Sequence, residues 1–216
     1  MAQVTDPINH DQNKKLDRYG WRAWVNITEL APKQFRCGYC GKSISSDRGY
    51  QTHNINPSAL IYACHHCGRP TLFDRDDSQN PGPLYGGDVA DITDVSVEHL
   101  YNEARRCTAV YAYTASVLAS RKLLMHIAVA KGAKPGEPFI SYVEFLSDNH
   151  YVPPGAKLWV DHIRKKGNEA NHEIVIMKEE DAKDLLAFLE MLLKMIYEFP
   201  ANIARRTTKP EPASKL

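Results

Sequence analysis

Hydrophobic positions follow two different rhythms along the chain. From Phe35 to Phe73 they come in short runs punctuated by Gly38, Gly41, Gly49, Pro57 and Gly68. Within that stretch Ser58-Ala59-Leu60-Ile61-Tyr62-Ala63 predicts a strand. From Val97 to Lys131 there is no Gly or Pro, and apolar residues recur at three and four: Leu100, Ala104, Cys107, Val110, Ala112, Ala115, Leu118, Leu124 and Ile127. That spacing predicts one long amphipathic helix, with Ser96 as N-cap and Gly132 and Pro135 as its stop. Ile140, Val143 and Leu146 predict a shorter helix over 139–149, and Pro153-Pro154-Gly155 breaks the chain before another over 157–172. The last helix begins near Glu179, where Glu179, Glu180 and Asp181 suit the positive helix end. Its apolar face is Leu185, Leu186, Phe188, Leu189, Leu192, Leu193 and Ile196, and Pro200 is expected to end it. The expected fold is mainly α, four helices following a small β-rich, cysteine-rich head.

Residues 74–94 are rich in Asp, Gly and Pro, which marks a linker or a long packed loop. The expected organisation is an N-terminal arm over 1–34, a head over 35–75, an acidic Pro/Gly linker over 76–95, a helical domain over 96–200 and a flexible tail over 201–216. The arm carries the aromatic cluster Tyr19, Trp21 and Trp24.

Cysteine spacing brings in the chemistry. Four of the five cysteines form two CxxC pairs, each followed by glycine: Cys37-Gly-Tyr-Cys40-Gly41 and Cys64-His-His-Cys67-Gly68. A two-residue gap lets both sulfurs of a pair reach one ion from a single tight knuckle, and the 23 residues between Cys40 and Cys64 fit a zinc ribbon. Four thiolates fill a tetrahedral sphere, so a Zn²⁺ bound by Cys37, Cys40, Cys64 and Cys67 is structural and has no place for a reactive water. His53, His65 and His66 are expected as exposed loop or knuckle residues. The fifth cysteine, Cys107, reads as an inert buried thiol.

Net charge is +1, which argues against a surface built throughout to grip nucleic acid. The distribution is uneven: residues 1–75 hold ten Lys and Arg against six Asp and Glu, and residues 76–94 hold five Asp and no base. A possible RNA or DNA partner is therefore allowed by charge and not demanded, and a protein partner is equally open. Trp21, Trp24, Tyr39 and Tyr50 are candidates for stacking on bases, with packing in the core or against a knuckle as the alternative. No run approaches the apolar length of a membrane span and the N-terminus lacks a signal-peptide core, so the expectation is a soluble, cytoplasmic protein without membrane contact.

The segment from Trp159 to His172 is polar in an unusual way. On a helix, Lys165, Asn168 and His172 share one face, where they could hold a phosphate and move a proton. Alternatively, Asn168 and His172 hydrogen-bond inside the helical domain while the lysines are solvated. Arg121, amid the apolar part of the long helix, is expected to pair with Glu103 or with an acid of the last helix.

The strings Tyr101-Asn-Glu-Ala104, Ser120-Arg-Lys-Leu-Leu124 and Ile163-Arg-Lys-Lys-Gly-Asn-Glu-Ala-Asn-His172, with the helix Glu180–Phe199, resemble the bacterial domain of unknown function 4145. The resemblance covers about half of the chain. It implies a four-to-five-helix HEPN-like bundle, often dimeric, of the kind found in toxin–antitoxin, antiviral defence and restriction systems. Many HEPN proteins are metal-independent ribonucleases. For that activity the resemblance points to His172 with Asn168, and to Arg164 or Lys165 as the cation. Gly167 stands where the family usually has Arg. Three functions are thus expected: a nucleic-acid- or protein-binding module, a HEPN-type ribonuclease, and a purely structural adaptor.

Overall fold

The computed structural model describes residues 24–53, 56, 58–153, 159, 162–163 and 176–207. Two units divide at Leu84 and Tyr85, each with its own buried cluster.

The first unit is a five-stranded antiparallel meander in sequence order: β1 Thr28–Arg36, β2 Ser43–Gln51, β3 Leu60–Ala63, β4 Pro70–Phe73 and β5 Gln79–Asn80. Its first strand starts inside the stretch expected to be an arm. Phe35 faces Ile44 in the β1–β2 ladder, and the register slips between Glu29 and Lys33, around Pro32, which has no N–H to give. Phe35, Tyr62 and Phe73 form the centre of the core, with ring centroids 5.1 to 6.1 Å apart. These offset and edge-on pairs are each worth about 1 kcal/mol beyond their burial.

The second unit is helical: α1 Val95–Ala109, α2 Tyr113–Ala130, α3 Phe139–Asp148, α4 Glu179–Leu193 and α5 Phe199–Thr207, with a π turn over Lys194–Glu198 joining the last two. The sides of α4 carrying Leu186, Phe188, Leu189, Leu192 and Leu193 are fully buried, so α4 forms the middle of the unit, with α1 and α2 against it and α3 against α2. Trp159 is helical and meets Phe188 edge-on at 5.3 Å.

The five-stranded sheet overturns the expected mainly α fold with a four-to-five-helix HEPN-like bundle. The chain combines a small sheet unit with a larger helical one. Only the Ser58–Ala63 strand was legible because the inward positions of β2 are Ile44, Ser46 and Gly49, which make no alternating apolar pattern. The long helix expected over 97–131 is two helices. Tyr111 turns into the left-handed region at φ 61°, and the Ala112 N–H reaches back to the Cys107 carbonyl at 2.9 Å, a helix stop made without glycine. Val110 and Leu118, assigned to the buried face, are 61% and 54% exposed as a result. The N-cap is Asp94 and not Ser96: its carboxylate accepts from the Ser96 and Val97 amides at 2.8 and 3.3 Å. Pro200 does not end the last helix. The π turn sends the Phe199 N–H to the Lys194 carbonyl, and helix continues to Thr207 inside the stretch expected to be a tail.

Residues 85–94, expected to be linker, are a strap laid over the helices. Arg105 is buried at 4% exposure and holds the strap through the Tyr85 and Gly86 carbonyls at 3.2 and 3.0 Å and Asp88 at 2.8 Å. Tyr101 donates to the Gly87 carbonyl at 2.9 Å, Glu190 accepts from the Gly87 amide at 2.6 Å, and Arg205 grips Asp91 with two bonds of 2.7 and 2.8 Å. Gly87 is required by the close approach: a Cβ there would lie 2.5 Å from Glu190 Oε1. Burial works to raise the Glu190 carboxyl, but Lys194 and the Gly87 amide outweigh it and hold it below its ordinary value.

Gly87→Ala is therefore expected to expel the Glu190 carboxylate and to cost about 2 kcal/mol, the worth of one charge-assisted bond, in urea unfolding of the helical unit. The wild-type contribution is present above the unfolded glutamate value of about 4.3 and fades as pH falls through the lower folded value. An alanine variant as stable as the wild type at neutral pH would show that the strap is not integral to the unit.

Candidate metal centre

Two of the hairpins end in the same turn. Between β1 and β2, the Cys37 amide donates to the Lys42 carbonyl at 3.0 Å and the Gly41 amide to the Cys37 carbonyl at 2.9 Å. Between β3 and β4, the Cys64 amide donates to the Arg69 carbonyl at 2.9 Å and the Gly68 amide to the Cys64 carbonyl at 2.7 Å. Gly41 and Gly68 take φ 67° and 72°, the left-handed backbone that folds each CxxC back on itself. The meander brings both turns to one end of the sheet.

All four sulfurs converge there. The Sγ atoms of Cys37, Cys40, Cys64 and Cys67 lie within 4.8 Å of one another, and the four residues could hold a metal ion. The Cys37–Cys67 and Cys40–Cys64 sulfurs are 3.8 Å apart, far beyond the roughly 2.0 Å of a disulfide. A tetrahedral ion with metal–sulfur bonds of about 2.3 Å sets its sulfurs about 3.8 Å apart, so the donor set fits a four-thiolate centre. The Tyr39 amide also points at Cys37 Sγ at 3.4 Å, a donor suited to a thiolate. Hydrogen bonds among the crowded thiols, that with Cys40 foremost, bring Cys37 down to about 7. Those from Cys37 and its neighbours also lower Cys64, while Cys40 and Cys67 are pushed up. A cation would displace the protons of thiols so crowded.

The surroundings hold the knuckles still. Cys37, Cys64 and Cys67 are buried, and they belong to the same cluster as Leu30, Phe35, Ile44, Tyr62 and Phe73. Trp24 donates from Nε1 to the Gly68 carbonyl at 2.6 Å and lies 6.0 Å from Tyr50, a knuckle-packing role. Gln79 Nε2 bonds both the Arg36 and Pro81 carbonyls at 2.9 Å, tying β5 to the first hairpin. Sequence reasoning passed over Gln79, because a lone glutamine carries no spacing signal. His53, His65 and His66 are exposed. Cys107 stands apart as a half-buried free thiol that burial, with Glu103 nearby, shifts upward.

Arg164, Lys165, Asn168 and His172 lie outside the described residues, as do Tyr19 and Trp21. Next to them in sequence, Ile163 is buried, and His162 meets Asp184 at 2.9 Å. Arg121 is buried with its guanidinium 4.5 Å over the Phe139 ring, and burial lowers its pKa. No helix among the described residues is long and apolar enough to cross a membrane.

Because three of the eight buried residues of the sheet unit's core are cysteines, a cation there is part of that core. Cys64→Ser, or chelation at neutral pH, is expected to abolish the dispersed amide signals of residues 28–80 while those of the helical unit persist. A sheet that stays folded after either treatment would show that the sulfurs need no cation.

The family described as domain of unknown function (DUF4145) matches residues 102–209, half of the 216-residue chain. No curated protein and no solved structure matches it. The matched span starts within α1 and runs past the end of α5, so the cysteine centre lies outside it. On that match, the chain belongs to the DUF4145 family.

Proposed function

We propose that the chain is a zinc-bearing binding module, in which one structural Zn²⁺ staples a small sheet whose knuckle end meets a macromolecular partner. The observation that carries the metal assignment is the convergence of four sulfurs within 4.8 Å on two turns with matching hydrogen bonds. Four cysteine donors in tetrahedral array favour zinc among the common cations. With every position taken by sulfur, the ion supplies a crosslink and no site for water or substrate.

The binding reading follows from what the crosslink supports. The two knuckle tips carry Tyr39, His65 and His66 to the surface. A core of eight residues is small for an independent unit, so the sheet is better suited to present a surface than to enclose a substrate.

Purified full-length chain is expected to carry one zinc per chain by elemental analysis. Cobalt substitution should then give the strong visible absorption of a tetrahedral thiolate site, lost in Cys37→Ser. A folded sheet with no metal would refute the assignment, and iron in place of zinc would correct the identity of the ion.

A further inference from the structure

We infer that the knuckle end of the sheet binds single-stranded nucleic acid, with Tyr39 as the stacking platform for a base. This rests on the binding-module reading and names its ligand. From Leu30 to Ser46 and from Ser58 to Phe73 the sequence has no Asp or Glu, and these are the stretches that build the two hairpins and both turns. The carboxylates of the described sheet unit gather elsewhere: Glu29 and Asp47 beside Arg48, and Asp74, Asp76 and Asp77 in the turn between β4 and β5. Arg36, Lys42 and Arg69 supply cations at the knuckle end. A divalent ion with four thiolates carries about −2, which these three cations offset.

Charge alone would attract any polyanion, and the shape is more selective. Tyr39 is 40% exposed at the tip of the first knuckle, and the Arg69 guanidinium carbon lies 5.0 Å from its ring centroid. A ring backed by a guanidinium offers a flat, cation-reinforced face to an unpaired base, which a stacked duplex does not present. In the same unit, Gln34, Ser43, Ser45 and His65 line an open depression together with Phe35 and Ile44. Amide, hydroxyl and imidazole groups beside apolar side chains suit a sugar, phosphate or base edge. The exposed positions of this end are polar apart from Tyr39, which leaves no apolar cluster to form the centre of a protein interface.

The test is fluorescence anisotropy of labelled single-stranded RNA and DNA oligonucleotides, with a duplex of the same sequence as comparator, titrated with metal-loaded full-length chain. Binding of single strands over duplex is expected, weakening as salt rises. Tyr39→Ala should weaken it about tenfold, with zinc content and amide spectrum unchanged, and Tyr39→Phe should restore it. Wild-type chain that carries its zinc yet binds no single strand overturns the inference and leaves the metal assignment standing. Equal affinity for Tyr39→Ala, or contacts of Tyr39 with a protein and not with an oligonucleotide in crosslinking, also overturns it. Tyr39-dependent binding by a chain that holds no metal would support the inference while refuting the zinc assignment.

Discussion

Four thiols held within 4.8 Å of one another are the constraint on which the sheet unit depends. Sulfurs so close must share protons or surrender them to a cation, because like charges at that spacing in a partly buried site are mutually destabilising. Everything around them serves the convergence. The left-handed glycines fold the turns, the meander aligns their ends, and the aromatic trio sits beneath. Removing the sulfurs from this core would leave five apolar residues, too few to offset the entropy of ordering five strands.

The helical unit solves the same problem with apolar mass. Five of the α4 side chains are fully buried leucines or phenylalanine, and the helices around it supply Tyr101, Leu123, Leu124, Ile127, Val143 and Leu146. Its polar interior is concentrated on Arg105, whose guanidinium finds acceptors on the strap and on Asn102. A planar five-donor group can satisfy several carbonyls at once, so one buried charge organises a loop that has little apolar surface of its own. The two units thus rest on different currencies of cohesion, coordination in one and packing in the other.

What could be recognised in the sequence follows the same division. Two CxxCG strings announce their chemistry because ligand spacing and turn glycine are both local. The leucines of α4 were equally plain, being strongly periodic. The strands on either side of the first knuckle were hidden, since Ser46 and Gly49 are inward positions that carry no apolar signal; Ser46 is held instead by a 2.9 Å bond to the Ala63 carbonyl. The break between α1 and α2 was hidden for a related reason. Tyr111 adopts a backbone usually announced by Gly or Asn, and only its tertiary setting selects it. The strap misled by composition: its Gly86-Gly87 pair and acids look like spacer, yet the glycines permit close contact and Asp88, Asp91 and Asp94 each have a partner. Long-range hydrogen bonds, spanning about a hundred residues between Gly87 and Glu190, leave no trace in a local window.

The repeated knuckle separates what must stay from what is at liberty to change. Cys37, Cys40 and Gly41 correspond to Cys64, Cys67 and Gly68 at a constant offset of 27, with the same pair of backbone bonds in each turn. Between the ligands, one copy carries Gly-Tyr and the other His-His. The frame is written in backbone and sulfur, and Gly38 belongs to it, since a Cβ there would lie 2.3 Å from the Gly82 carbonyl oxygen. The outward letters Tyr39, His65 and His66 can drift without loosening it. A fold of this kind can acquire a new surface by exchanging three side chains, keeping its architecture as an inherited constant.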